Sequence, residues 1–298
     1  MPAPEPPVEG MPRIRPTEAT RPPQSERLLA VDGHVHVHHC FPLDRFLEQA
    51  FANMGRAERG VDGEEASTGI LLLSESRDVN RFREMRSIAE AEGRLGGWAL
   101  RTTDEAESMV ISPATGDHQV LDGLVLVAGR QIVVKEGLEV LALSTDDDFR
   151  DGAGLTDTIR KVRESGAVPV LPWGFGKWWF RRGRLLTKLL QGVNAGDFLL
   201  GDNAIRPRGV PSPTHFALAA DRGIGVLCGT DPLPFPADVR RAGRFGTLVP
   251  GSSFDLNKPA AALRRKLRHL PPDTHTFGRR ESLPRFLEAQ LRMRLSSC

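Results

Sequence analysis

Four of the eight histidines in this 298-residue chain fall within one short stretch, Asp32-Gly33-His34-Val35-His36-Val37-His38-His39. It follows the apolar run Leu28-Leu29-Ala30-Val31. Alternate side chains of an extended strand share a face. His34 and His36, with His38 next in line, therefore point one way and Val35 and Val37 the other. Two neutral imidazoles one strand step apart can chelate a divalent cation at about 2.0–2.1 Å per bond. The competing reading is a polar loop rich in histidine, and the alternation with valine favours the metal.

Periodicity supplies the elements that would hold these residues. Short apolar runs alternate with amphipathic stretches, the signature of β/α units. Strands are expected over 28–36, 70–73, 168–171, 197–200 and 224–228, and helices over 43–54, 79–92, 155–165, 178–191, 213–222, 259–269 and 282–295. Residues 55–69 read as a polar loop. Between 96 and 144 several β runs (98–102, 109–112, 118–128, 131–135, 138–143) follow one another without a helical period, which predicts an inserted hairpin meander. No internal repeat is present.

In parallel α/β folds, ligands gather at the C-terminal ends of strands. The predicted strand ends carry His34 and His36, Glu75, Thr145-Asp146-Asp147-Asp148, Trp173-Gly174-Phe175-Gly176, Asp202-Asn203 and Thr230-Asp231. Asp231 precedes Pro232, which holds it in an extended loop. That suits a metal ligand or a general base, and the competing reading is a turn-forming Asp. Asp202, Asn203, Arg206 and Arg208 lie within seven residues, and forked guanidinium donors suit phosphate or carboxylate oxygens. The bland alternative is a solvated loop whose arginines pair with acidic residues. Lys177 follows Gly174-Phe175-Gly176 without P-loop spacing. Trp178 and Trp179 beyond it either line a pocket or pack in the core.

The formal charge is +2, with residues 1–176 carrying 19 Lys+Arg against 29 Asp+Glu (net −10) and residues 177–298 carrying 21 against 9 (net +12). A basic C-terminal part fits an anionic ligand or packing against the acidic part. The chain has no tyrosine, and the aromatic interleaving of a single-strand binder is absent, so nucleic acid is not expected. Cys40, Cys228 and Cys298 are too scattered for a disulfide framework or a zinc knuckle, which points to a reducing compartment, the cytoplasm. No apolar run is long enough for a transmembrane helix. Residues 1–27, dense in proline, read as a disordered leader before a single domain over 28–298.

The Asp32-x-His34-x-His36 element and the late Gly229-Thr230-Asp231 resemble the polymerase and histidinol phosphatase (PHP) superfamily of metal-dependent phosphoesterases, related in style to amidohydrolases. The resemblance covers about residues 28–250. It implies an α/β fold, a distorted TIM-like (β/α) barrel of about seven units, with divalent cations activating water against a phosphate ester. His34, His36 and Asp231 match its ligand positions. Four of its usual elements are altered: Ser74-Glu75 replaces Thr-Asp-His, Gly129-Arg130-Gln131 replaces Gly-x-Glu, Leu171-Pro172-Trp173 replaces Ala-His-Pro, and Leu233 replaces a histidine. These losses leave one ion site, because a neutral amide does not hold two cations together. Glu75 is expected to compensate as a second catalytic carboxylate, and His38 or His39 to add nitrogen ligands. The expectation is a hydrolase using Zn, Mn or Fe, with His34, His36 and Asp231 on the metal and Asp231 and Glu75 in catalysis. Arg206, Arg208, Asp202, Asn203 and Lys177 would bind a small anionic ester. A catalytically degenerate barrel serving as a binding or scaffold protein is the rival.

Overall fold

The computed structural model describes residues 28–57, 66–115, 123–192 and 196–295. The proposed leader, His118 and Cys298 lie outside them. The first half opens with β1 (Leu28–Val35), α1 (Leu43–Ala57), β2 (Ala66–Leu73) and α2 (Arg81–Ala91). Helix α1 and strand β2 therefore extend into the stretch expected to be a loop. The meander follows as β3 (Arg94–Leu95), β4 (Trp98–Thr102), β5 (Ser108–Pro113), β6 (Leu124–Val127), β7 (Gly129–Val133) and β8 (Glu139–Leu143). β/α alternation then resumes through α3 (Leu155–Glu164), β9 (Val168–Pro172), α4 (Phe180–Gln191), β10 (Leu199–Asn203), α5 (Thr214–Ala220) and β11 (Val226–Gly229). The last elements are β12 (Phe245–Pro250), α6 (Pro259–Arg268), β13 (Thr276–Gly278) and α7 (Leu283–Leu295).

The strand ladders fall into two sheets. They form an eight-stranded sheet, ordered β13-β12-β1-β2-β6-β5-β4-β3, and a five-stranded sheet, β11-β10-β9-β8-β7. The meander is divided between them. Strands β6 and β7 are separated only by Ala128 yet belong to different sheets. The sheets meet at two seams: a bridge between Glu75 and Arg130 beyond β2, and the bond from Asp231 N to His34 O, 2.8 Å, beside β1 and β11. Between them lies a shared core. Leu29 and Val31 of β1, Ile70 and Leu72 of β2, Val170 of β9, Leu199 of β10 and Leu227 of β11 all face it, and Leu263 and Leu267 of α6 join them. A second cluster packs α1 and α2 on the outer side of the large sheet through Phe46, Leu47, Ala50, Phe82 and Met85. In α3, buried Leu155, Thr158, Ile159 and Val162 follow the helical period that made it legible.

Three strands, β3, β12 and β13, were absent from the periodicity. Strand β12 carries a short apolar core between Gly246 and Pro250, and β13 is three residues long. Both pair antiparallel, with no helix to announce them.

Candidate metal centre

Strand β1 changes face just before its histidines. One extra residue on β1 separates the pairs Asp32↔Leu71 and Val35↔Leu73. Such a bulge moves the following side chains to the other side. Val31 accordingly faces the core between the sheets, whereas Val35 and Val37 pack on the α1 side. His34 and His36 are left directed together, with ring centroids 4.9 Å apart.

The approach of β11 is equally specific. A Cβ on Gly229 would collide with the backbone N of His34, and one on Gly33 with the Leu227 side chain. Glycine at both positions lets β1 and β11 touch. Asp32 locks the contact: its carboxylate accepts from Thr230 N at 2.8 Å, Thr230 Oγ1 at 2.6 Å and Gly243 N at 2.8 Å. Burial pushes Asp32 up to about 7 against the pull of these bonds. The first residue of the Asp-x-His-x-His element is thus a clamp beneath the site.

Asp231 emerges from this junction with φ of 49°, a left-handed conformation that non-glycine residues adopt at a cost. Its Oδ1 lies 3.7 Å from His34 Nε2 and 3.6 Å from His36 Nε2, and the two Nε2 atoms are 3.0 Å apart. Tetrahedral bonds of about 2.0–2.1 Å place ligand atoms about 3.3–3.4 Å apart, so the three atoms fit around one cation. Among the described residues they are the only His, Cys, Asp or Glu trio so arranged. Burial lowers His34 to about 4 and His36 to about 3, which leaves both imidazoles neutral near pH 7, as ligation requires. Burial also raises Asp231, against the nearby His36 and Lys177. Asp231 keeps 21 % of its side chain exposed, so the trio is reachable from solvent.

The other predicted residues divide sharply. Asn203 Nδ2 donates to Asp231 Oδ2 and to Trp173 O, both at 2.9 Å, and therefore positions the carboxylate. Its Oδ1 is buried without a partner among the described residues, an acceptor left beside the site. Lys177 pairs with Glu139, and both act electrostatically on His34.

Glu75 does not join the trio. Its Oε1 accepts from Arg81 N (2.6 Å) and Phe82 N (3.1 Å) at the start of α2, and Oε2 faces Arg130 at 3.3 Å. The free amides of a helix N-terminus and a buried guanidinium have claimed it. Arg206 is likewise spent: Nε and Nη2 bond both oxygens of Asp202 at 2.8 and 2.7 Å. Arg280, missed in the sequence, adds a 2.6 Å bond to Asp202. Asp202 and Arg206 are therefore a buried ion pair rather than an anion clamp. Arg208 is exposed, with its backbone N on Glu281 O. His38 Nε2 donates to Pro232 O at 2.8 Å and His39 is exposed, so neither adds a ligand. Gln131, which stands where the resemblance implies a carboxylate, brings its Oε1 to 3.3 Å from His34 Nε2. Its place on β7 opposite the histidines could not be inferred before the sheet order was known.

No family model and no curated protein matches this sequence. Solved structures do. PsfC from Pseudomonas syringae PB-5123 superposes with a TM-score of 0.55 at 17% identity, over 91% of this chain and 100% of its own. The chain shares the fold of PsfC. PfuEndoQ from Pyrococcus furiosus, described as a lesion-specific endonuclease, gives a TM-score of 0.43 at 12% identity, over 81% of this chain and 56% of its own. This chain thus spans about half the length of PfuEndoQ.

Proposed function

We propose that this protein is a metal-dependent hydrolase of PHP type, a phosphoesterase acting on a small anionic ester. His34, His36 and Asp231 hold a divalent cation of the Zn, Mn or Fe class. The observation that carries the reading is the convergence of two neutral imidazole nitrogens and a carboxylate oxygen at tetrahedral edge lengths. A cation bound there supplies Lewis-acid polarisation of the ester and lowers the pKa of water toward neutrality.

The chain's own groups do the rest. Burial keeps both imidazoles unprotonated at neutral pH. Asn203 orients Asp231 by holding Oδ2 and leaving Oδ1 toward the histidines. Asp231 therefore offers Oδ1 as its ligand atom, and the proton released by attacking water leaves to solvent on the exposed side of the site. Lys177, paired with Glu139, acts electrostatically on Asp231 and completes the polar side of the site. The second reading, a degenerate scaffold, is favoured by one specific fact: Glu75 and Arg206 are committed to structural bonds.

Elemental analysis of protein purified without chelator, followed by a phosphate-ester screen with added metals, separates the readings. About one equivalent of cation, and turnover abolished by His34→Ala and by Asp231→Ala, is the expected result. Metal-loaded, folded but inert protein would favour the scaffold reading. Less than about a tenth of an equivalent, with no uptake on titration, would reject the metal centre itself.

A further inference from the structure

Beside the trio lies a feature that hydrolysis alone leaves unused. The loops after β9 and β10, together with α7, enclose a cavity of about 510 Å³. Trp173, Phe175, Trp178, Trp179, Phe286 and Leu287 form much of its wall. Phe175 meets Trp179 and Phe286 edge to face, with ring centroids 4.9 and 5.1 Å apart, so the rings brace one another. Trp179 and Leu287 nevertheless remain 50% and 56% exposed. Apolar surface left in water around a concave site is the mark of a ligand pocket.

The polar lining restricts what can enter. Among the described residues no carboxylate lines the cavity, and its charged group is Arg206, already neutralised by Asp202. Thr214 and His215 are the remaining polar residues, and His215 Nε2 is occupied by Thr187 Oγ1 and Gly183 O at 3.2 and 3.1 Å. A cation would find no counter-charge there. A flat, uncharged ring system would find five aromatic faces and edges.

Two observations join the cavity to the candidate metal centre. Trp173 gives its side chain to the cavity wall and its carbonyl to the Asn203 amide that holds Asp231. Lys177, in the same loop, acts on His34 and Asp231, while Phe175, Trp178 and Trp179 around it face the cavity. The loop 173–179 thus lines the cavity and reaches the trio through Asn203 and Lys177.

We propose that the cavity binds the organic part of the substrate, a planar apolar group of one or two rings, while the anionic ester head lies at the trio. The placement of the head rests on the hydrolase reading above, whereas the ring site stands on the cavity itself.

The test titrates the tryptophan fluorescence of the whole protein with 1-naphthol, 1-naphthyl phosphate and methyl phosphate, with metal present and after chelation, alongside steady-state hydrolysis of the two esters. Saturable quenching by 1-naphthol is expected in both states. 1-Naphthyl phosphate should bind at least about tenfold more tightly than methyl phosphate, the gain from burying an aromatic ring. Trp179→Ala and Leu287→Arg alter half-exposed rim residues, so the fold should persist by circular dichroism and metal content should stay unchanged. Each should cut the preference for the naphthyl ester by about tenfold. Equal affinities for the two esters, or rim variants without effect, would overturn the proposal. So would a dimer that Leu287→Arg dissociates, because a second copy would then be the occupant. Hydrolysis with equal kcat/KM for both esters sinks the ring site and leaves the hydrolase reading standing. Ring binding without metal or turnover does the reverse: it retains the site and removes the substrate role.

Discussion

At Asp231, charge and backbone conformation make separate demands. The carboxylate faces two imidazoles, and the left-handed φ of 49° favours a residue such as Asn or Gly. Asp231→Asn separates the two, since Asn tolerates that conformation but brings no negative charge. Its expected outcome is near-parental thermal stability with cation affinity weakened at least about tenfold, read by metal titration. Asp231→Ala should lose the metal and also melt lower, because alanine is strained there. The histidines give a pH prediction. Their folded values, about 4 and 3, lie below the ordinary 6.5 because of burial, so the unfolded chain takes up protons that the folded chain refuses. Stability contributed by neutral imidazoles is complete above about pH 6.5 and is lost as pH falls toward 4 and then 3. In metal-stripped protein each imidazole should lower stability by about 1 kcal/mol per pH unit in that window, set against the opposite slope of Asp32 and Glu75, whose carboxyls burial raises to about 7. His36→Gln should flatten the slope of chemical denaturation midpoints against pH.

At the scale of elements, the junction of β1 with β11 decides the site. Gly229→Ala forces a Cβ into the His34 backbone, so the strands must part. A loss of about 1–3 kcal/mol in denaturant titration is expected, together with weaker metal binding although no ligand has changed. Glu75→Ala probes the opposite case: it strips the start of α2 and leaves Arg130 without one partner. About 1–3 kcal/mol of stability should go, with metal content intact. These elements show what the sequence can and cannot carry. Alternation of valine and histidine placed His34 and His36 on one face, and the strand-end position exposed Asp231. Those are local signals, and the helices were legible from the same kind of period. Glu75 and Arg206 are different. Their types suit catalysis or anion binding, but their partners, the α2 amides, Arg130 and Asp202, are set by packing. Gln131 and Arg280 reach their sites only through sheet order and a distant turn. The passage of the chain from one sheet to the other at Ala128 leaves no trace in hydropathy.

At the scale of the whole molecule, the trio draws on both sheets, with His34 and His36 from the large sheet and Asp231 from the end of the small one. A cation held there ties them together. Saturating metal at a hundredfold excess over its dissociation constant should add about 2.7 kcal/mol, seen as a rise of several degrees in Tm that chelation reverses. Among the described residues no helix is long and apolar enough to cross a membrane. Strand β1 has a history as well as a place. It is flanked by β2 and by β12, whose register runs Leu28↔Pro250 to Val31↔Thr247. A ribosome must therefore release more than two hundred further residues before β1 gains its second neighbour, and loops of that span close late. Contacts made after the rate-limiting step govern escape from the native state, not arrival. In stopped-flow experiments, added cation should leave the refolding limb of the chevron where it was and slow the unfolding limb, so that bound metal acts as a latch on a structure already assembled.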